Sequence, residues 1–185
     1  RGMSSAASDV YKRQAFYGAD LGMDVTLVDL EANPGGVCLY RGCIPSKALL
    51  HIAEVLNEAK HARDFGVEFS EPAINVEKVR TWKDGVVSKL TGGLGQLTKA
   101  RKINFVQGRG SFLDQNTLKV VTVAGEEQKI SFDNIIIATG SRPAALPGVD
   151  LESSRLWDST QALRLDQVPN KLLVVGGGYI GLELG

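Results

Sequence analysis

The stretch that decides the predicted fold is Leu172-Leu173-Val174-Val175-Gly176-Gly177-Gly178-Tyr179-Ile180-Gly181. Its four leading apolar residues predict a short buried strand. The strand runs directly into the pattern G-x-G-x-x-G, which is typical of the strand-to-helix turn in a dinucleotide-binding fold. Gly176 would allow the tight turn, Gly178 would let a pyrophosphate approach the backbone, and Gly181 would allow close packing of helix on strand. The pattern therefore predicts a dinucleotide site, with a merely structural turn as the alternative.

The rest of the chain predicts an α/β protein of nucleotide-binding type. Apolar residues at helical spacing predict one helix that starts near Pro45 and a second over residues 76–97, interrupted at Gly92-Gly93. Residues 15–21 are interpreted as the end of an earlier helix, closed by Gly22. Short apolar runs predict strands over residues 25–28, 103–106, 118–123, 129–132, 135–137 and 172–175. Because Ala124-Gly125 suits a hairpin connection, we expect a small antiparallel insert in this fold.

The composition of the 185-residue chain is that of an ordinary globular protein, with 43% hydrophobic and 23% charged residues. Its 21 Lys and Arg residues balance its 21 Asp and Glu residues. No basic surplus therefore indicates a nucleic-acid partner. No apolar run approaches the roughly 18 residues that a membrane-spanning helix needs. We expect a cytoplasmic protein that binds neither nucleic acid nor membrane.

Both ends of the chain predict that it is a piece of a longer protein. Residues 1–14 show neither apolar periodicity nor a signal-peptide pattern, so we interpret them as foreign to the fold. The other end, Gly185, falls just after a predicted helix begins. An acidic residue that selects NAD over NADP is expected about 20 residues after the glycine pattern. That position lies beyond Gly185, so this sequence does not distinguish NAD from NADP.

The two cysteines, Cys38 and Cys43, are close in sequence, and three interpretations of them stand side by side. A zinc site is disfavoured, because C-x4-C is not a common ligand spacing and His51 and His61 lie too far apart to complete one. We interpret both histidines as helix-surface residues. A structural disulfide would stabilise little across so short a loop. A redox pair is favoured, because Gly42 permits close approach and a nearby helix start favours thiolate.

The segment around the cysteines is more specific than their spacing. It reads Gly35-Gly36-Val37-Cys38-Leu39-Tyr40-Arg41-Gly42-Cys43-Ile44-Pro45-Ser46-Lys47-Ala48-Leu49-Leu50. This segment closely resembles the active-site segment of the pyridine nucleotide–disulfide oxidoreductases. The resemblance runs from about residue 15 to residue 185 and includes the strings Arg80-Thr81-Trp82-Lys83, Leu90-Thr91-Gly92-Gly93-Leu94, Ile137-Ala138-Thr139-Gly140-Ser141-Arg142-Pro143 and Trp157-Asp158-Ser159-Thr160. It departs from the family at Val37, where many relatives have threonine, and at Tyr40-Arg41, which replaces a smaller pair.

The resemblance implies a division of labour between the two thiols. Cys38 would be the interchange thiol that exchanges with a dithiol substrate, and Cys43 the charge-transfer thiol beside a flavin. Electrons would pass from dihydrolipoamide to the disulfide, then to FAD and, as hydride, to NAD+. The family's catalytic base is a histidine paired with a glutamate near the far C-terminus, and this chain contains no counterpart of it.

The resemblance also implies which residues hold the cofactors. Asp29 would bind the FAD ribose, although a turn cap explains this residue equally well from the sequence alone. Lys47 would stand beside the flavin with Glu183 as its ion-pair partner; the alternatives are a helix cap and a solvated first-turn acid. The other implied FAD-binding residues are Gly35, Gly36, Gly110, Thr139, Gly140 and Ser141. NAD would bind at the glycine pattern, whose remaining residues are Gly177, Tyr179 and Ile180.

These expectations divide the chain into three parts. Residues 1–14 precede a Rossmann-like FAD-binding domain over residues 15–145, which is expected to be incomplete because its first strand and glycine-rich phosphate loop are missing. Residues 146–185 begin a second Rossmann-like domain for NAD. The expected parent is a homodimer that oxidises dihydrolipoamide carried by the lipoyl domain of 2-oxoacid dehydrogenase complexes. Glutathione or mercuric reductase activity is the alternative within the family, and an inactive nucleotide-binding fragment is the alternative of another class. No metal is expected.

Overall fold

The computed structural model describes residues 6–144, 148 and 153–185. They contain both helices and strands, as expected of an α/β protein. In chain order the elements are α1 (Ala6–Asp20), β1 (Thr26–Asp29), α2 (Gly36–Arg41), α3 (Cys43–His61), a 3₁₀ turn (Ala62–Phe65), α4 (Val76–Ala100), β2 (Asn104–Phe112), β3 (Thr117–Thr122), β4 (Glu127–Ser131), α5 (Ser159–Arg164) and α6 (Tyr179–Leu184).

The strands form one four-stranded sheet in the order β1-β2-β3-β4. β1 runs parallel to β2, with Val28 opposite Val106, and a parallel pair requires a long crossover connection between its strands. The next two pairs are antiparallel hairpins. Gly125 takes a left-handed conformation (φ +84°) in the turn between β3 and β4, which glycine adopts without strain. The predicted α/β fold with a small antiparallel insert is therefore confirmed.

The chain divides into two compact units, each with its own buried residues. The first comprises Arg1–Cys38 and Lys89–Ser141 and carries the whole sheet. Its buried apolar side chains include Leu27 on β1, Ile103 and Val106 at β2, and Val120 on β3. The second comprises Leu39–Ser88 and Arg142–Gly185, and its buried residues include Ala48 on α3 and Leu163 on α5.

Helix α4 corrects the predicted break at Gly92-Gly93, because it continues through both glycines to Ala100. A glycine in a helix interior costs about 1 kcal/mol relative to alanine, which tertiary packing overrides here. Thr91 and Thr98 are buried on this part of the helix. A Cβ at Gly95 would collide with the side chain of Asn33. Gly95 thus permits a close approach between segments of the first unit.

Two of the predicted strands are wrong. Residues 135–137 and 172–175 belong to no strand of the described structure, and their apolar side chains are exposed. An apolar run predicts a strand from composition, whereas a ladder also requires a neighbouring backbone to receive its hydrogen bonds. By contrast, the end of α1 is confirmed, since Gly22 follows it with a φ of +82°. The short helix α2 was not predicted.

The predicted domain boundary between residues 145 and 146 lies outside the described residues, as does the start of the 1–14 run. The division into domains therefore stays a prediction. Among the helices of the described residues, none combines the length and the apolar character that crossing a bilayer requires.

Candidate functional site

The two cysteines lie on consecutive helices separated by Gly42 alone. Cys38 is buried within α2, and Cys43 is the exposed first residue of α3. Neither cysteine forms a disulfide bond in the described part of the chain. The backbone N–H of Ser46 donates to the Gly42 carbonyl at 3.1 Å, which closes the first helical turn behind Cys43. The start of a helix favours negative charge near its first residue.

Lys47 and Glu183 meet within the second unit, as the resemblance implied. The Lys47 Nζ lies 3.9 Å from Glu183 Oε1. A second residue holds the same carboxylate more closely: the Ser46 Oγ donates to Glu183 Oε2 at 2.7 Å. Glu183 therefore accepts a hydrogen bond from Ser46 on one carboxylate oxygen, and its other oxygen faces the ammonium group of Lys47. These contacts link α3 to α6.

Backbone geometry at the C-terminal glycine pattern agrees with the conformational roles predicted for two of its members. Gly176 has a φ of +111°, a region that side chains rarely allow. A Cβ at Gly181 would collide with the Gly176 carbonyl oxygen and would lie 3.1 Å from Val174 Cγ1. At Gly177 and Gly178 a Cβ would meet nothing within 4 Å, so the backbone here is open to approach. Phosphate binding at this loop stays a prediction.

The predicted FAD residues of the first unit include two positions with restricted backbone geometry. Gly36 begins α2 with a φ of +66°, and Gly140 has a φ of +75°. Asp29 ends β1, and its Oδ1 accepts a hydrogen bond from the Glu31 backbone N–H at 3.1 Å. The turn-cap interpretation of Asp29 is thus observed, while its role as a ribose ligand stays a prediction. Gly35 is buried at the start of the cysteine segment.

The other implied FAD residues are less restricted by their surroundings. Thr139 and Ser141 are exposed on either side of Gly140. Gly110 lies in β2 opposite Val120, and a Cβ there would come within 2.9 Å of Leu118 Cδ2. This glycine has a packing reason of its own, and its predicted contact with adenine stays a prediction.

The sequence interpretation missed a buried lysine, Lys83, in the second unit. Its Nζ donates to the Leu163 carbonyl oxygen at 2.7 Å and lies 2.9 Å from Asp84 Oδ1. Leu163 is in the last turn of α5, where backbone carbonyls have no partner within the helix. No local sequence signal announces such a contact, because its partners are 80 residues apart. The start of α5 did carry a signal: Asp158 followed by Gln161 forms a capping box.

His51 and His61 lie on the exposed surface of α3, as predicted. They border an open cavity of about 620 Å³ together with Lys47, Glu54 and Glu58. The imidazole Nδ1 of His51 is 3.9 Å from Glu54 Oε2. Within the part of the chain that the structure describes, no group of three or more His, Cys, Asp or Glu side chains is arranged to hold a metal ion.

Comparison with known proteins defines the class. The family model described as pyridine nucleotide-disulphide oxidoreductase matches residues 12–185. The chain belongs to this family, which confirms the predicted resemblance. The match covers the cysteine segment, the Lys47–Glu183 pair and the glycine loop.

Several curated relatives share about half of their aligned residues with this chain. The chain is 53% identical over 171 residues to the dihydrolipoyl dehydrogenase of Haemophilus influenzae. It is 52% identical over 172 residues to that of Vibrio cholerae and 49% identical over 171 residues to that of Staphylococcus aureus. Each match covers 92% of this chain but 36% of the relative. The chain therefore spans about a third of the length of these relatives.

Proposed function

We propose that this chain forms the disulfide-bearing part of an FAD- and NAD-dependent dihydrolipoamide dehydrogenase. The observation that carries the proposal is the arrangement on α3. Cys43 begins this helix one residue after the helix that holds Cys38, and Lys47 follows one turn later, paired with Glu183. The names of the relatives, reported above, support the particular activity within the family.

The residues present fit the proposed cofactors. Residues three and four apart share one face of a helix, so Cys43 and Lys47 stand together on α3. Both side chains are exposed, which leaves this face open to a planar ring. The open backbone at Gly177 and Gly178 suits a pyrophosphate in the same way. When bound, FAD would supply a two-electron acceptor that couples the thiols to hydride transfer to NAD+.

The chemistry of the cysteines is thiol–disulfide exchange. One thiolate of the dihydrolipoyl substrate attacks the Cys38 sulfur of the Cys38–Cys43 disulfide, forming a mixed disulfide and releasing Cys43 as a thiolate. The second substrate thiolate then attacks the substrate sulfur of the mixed disulfide and releases Cys38. The substrate leaves as a cyclic disulfide, and its two electrons remain on the cysteine pair. Lys47 places a positive charge beside this face, where a two-electron acceptor would gain negative charge.

The proposal includes the setting of the parent protein. We propose that the parent protein is a homodimeric, cytoplasmic enzyme. Its substrate would be the lipoyl domain of a 2-oxoacid dehydrogenase complex. The named relatives support this assignment. Because the chain spans about a third of their length, we expect the isolated 185 residues to retain FAD poorly and to show no turnover.

The test uses a full-length flavoprotein that contains this sequence. We expect NADH to reduce lipoamide in this protein. The variants Cys38→Ser and Cys43→Ser should lose that activity while keeping bound flavin. As a matched control, His61→Gln changes an exposed residue on the same helix and should leave the rate unchanged. Activity that requires NADPH and glutathione or mercuric ion instead of lipoamide would refute the proposed substrate.

A further inference from the structure

Ser46 makes the closer of the two contacts to Glu183. Its Oγ is 2.7 Å from Oε2, whereas the Lys47 Nζ is 3.9 Å from Oε1. A donor–acceptor distance of 2.7 Å is typical of a hydroxyl that donates to a charged carboxylate. A separation of 3.9 Å between two charges is at the outer limit of an ion pair. We propose that Ser46 is a positioning residue, which fixes the Glu183 carboxylate so that its other oxygen faces Lys47.

Burial explains why the hydroxyl rather than the ammonium is the fixed end. Ser46 is 6% exposed, and a buried hydroxyl without an acceptor would cost free energy. The side chains of Lys47 and Glu183 are 68% and 33% exposed. Water screens a pair of this kind, and the flexible lysine loses entropy when it is held in one geometry. The ammonium alone would therefore hold Glu183 weakly.

Backbone contacts place Ser46 in the first turn of α3. Its N–H donates to the Gly42 carbonyl in the first turn of α3, and Pro45 before it is buried. Glu183 lies on the short helix α6, which follows the glycine loop. The hydrogen bond thus joins the helix that begins with Cys43 to the helix that follows the predicted dinucleotide loop. The meaning of this link at a flavin rests on the proposed function, but the link itself does not.

The test measures the accessibility of Lys47 without any cofactor. The 185-residue chain is briefly acylated with an N-hydroxysuccinimide ester, and mass spectrometry gives the ratio of labelling at Lys47 to labelling at Lys60. Lys60 is an exposed lysine on the same helix and serves as the internal reference. An ion pair with Glu183 reduces the fraction of Lys47 that is available for acylation. An exposed ion pair changes such a fraction by a factor of about 1.5 to 5, so we expect Glu183→Gln to raise the labelling ratio by that factor.

If Ser46 positions Glu183, Ser46→Ala raises the ratio to the same level, and the double variant rises no further. Ser46→Thr, which keeps the hydroxyl, restores the parental ratio. Ser46→Cys keeps the side-chain volume with a weak donor and replaces Ser46→Ala if alanine unfolds the chain. Thr81→Val removes a hydroxyl that bonds within its own helix and should leave the ratio unchanged.

Two results would overturn the proposal. The first is a parental ratio in both Ser46→Ala and Ser46→Cys while Glu183→Gln raises it, because the pair would then form without the hydroxyl. The second is an unchanged ratio in Glu183→Gln, because no pair would then exist to be positioned. Neither result bears on flavin binding or lipoamide turnover, so the proposed function stands or falls separately.

Discussion

The buried ammonium of Lys83 offers a quantitative test of how the second unit is held together. Its side chain is 5% exposed, and its Nζ donates to the Leu163 carbonyl oxygen at 2.7 Å. This contact satisfies a carbonyl in the last turn of α5, which the helix itself leaves unpaired. We predict that Lys83→Met destabilises α5, because methionine keeps an apolar stem of similar length but donates no hydrogen bond.

The expected magnitude follows from three contributions. A hydrogen bond from a charged group contributes about 1.5–3 kcal/mol. The pair with Asp84 adds little, since the Asp84 side chain is 63% exposed and exposed pairs contribute about 0–1 kcal/mol. Methionine also relieves the cost of burying the ammonium, which offsets part of the loss. We therefore expect Lys83→Met to lower the local stability by about 2 kcal/mol, within the range typical of a lost buried contact.

Amide hydrogen exchange is the appropriate assay because it reports on α5 separately from the sheet. The Ala162 N–H donates to the Asp158 carbonyl at 2.9 Å and is a suitable probe. A loss of about 2 kcal/mol corresponds to roughly 30-fold faster exchange, since 1.4 kcal/mol is tenfold. Lys89→Met is the matched control, because Lys89 is an exposed lysine on the same helix, α4.

Two outcomes would refute this reasoning. If exchange in Lys83→Met stays within about twofold of the parent, the ammonium contributes nothing net to α5. If Asp84→Asn accelerates exchange as much as Lys83→Met does, the stabilisation comes from the ion pair instead of the helix-end carbonyl.

Three further predictions concern the thiols, the glycine loop and the cap of α5. Because Cys43 is exposed and Cys38 is buried, iodoacetamide should alkylate Cys43 first in the reduced chain; equal rates by mass spectrometry would contradict the structure. Gly181→Ala places a Cβ against the Gly176 carbonyl oxygen and should lower the free energy of unfolding, measured in urea, by about 1–3 kcal/mol. A Cβ at Gly177 has open space around it, so Gly177→Ala should lower the free energy of unfolding clearly less. Asp158→Ala removes the capping box and should cost about 1 kcal/mol, again by hydrogen exchange in α5; unchanged protection there would count against the cap.

The sequence predicted features that depend on neighbours along the chain. Gly22, Gly125 and Gly176 stand where a left-handed backbone is needed, and each could be located because glycine permits that conformation at no steric cost. The three strands β2, β3 and β4 were predicted to within a few residues, except that β2 continues to Phe112. Local alternation and turn chemistry determine such elements.

Features that depend on distant neighbours were predicted poorly. The break expected at Gly92-Gly93 is absent because packing along α4 outweighs the intrinsic preference of glycine. Residues 172–175 have the composition of a buried strand, yet their side chains are exposed among the described residues. The Lys83 contact, across 80 residues, left no local trace. Propensity describes a segment, while burial and hydrogen-bond partners belong to the folded chain.

The candidate site depends both on neighbours along the chain and on distant residues. For this reason the sequence could identify the residues of the site but could not predict their geometry. The spacing of Cys43, Ser46 and Lys47 is three and four residues, so any helix that begins at Cys43 brings the three onto one face. What the spacing cannot supply is the anion that contacts Ser46 and Lys47. Glu183 arrives from the far end of the chain and contacts the buried hydroxyl as well as the ammonium. A family motif identified Lys47 and Glu183 as a pair. The distances show that Ser46 is the closer partner of Glu183. A short hydrogen bond from a buried donor constrains a carboxylate more than a long contact with an exposed cation does, so Ser46 has the larger part in fixing Glu183.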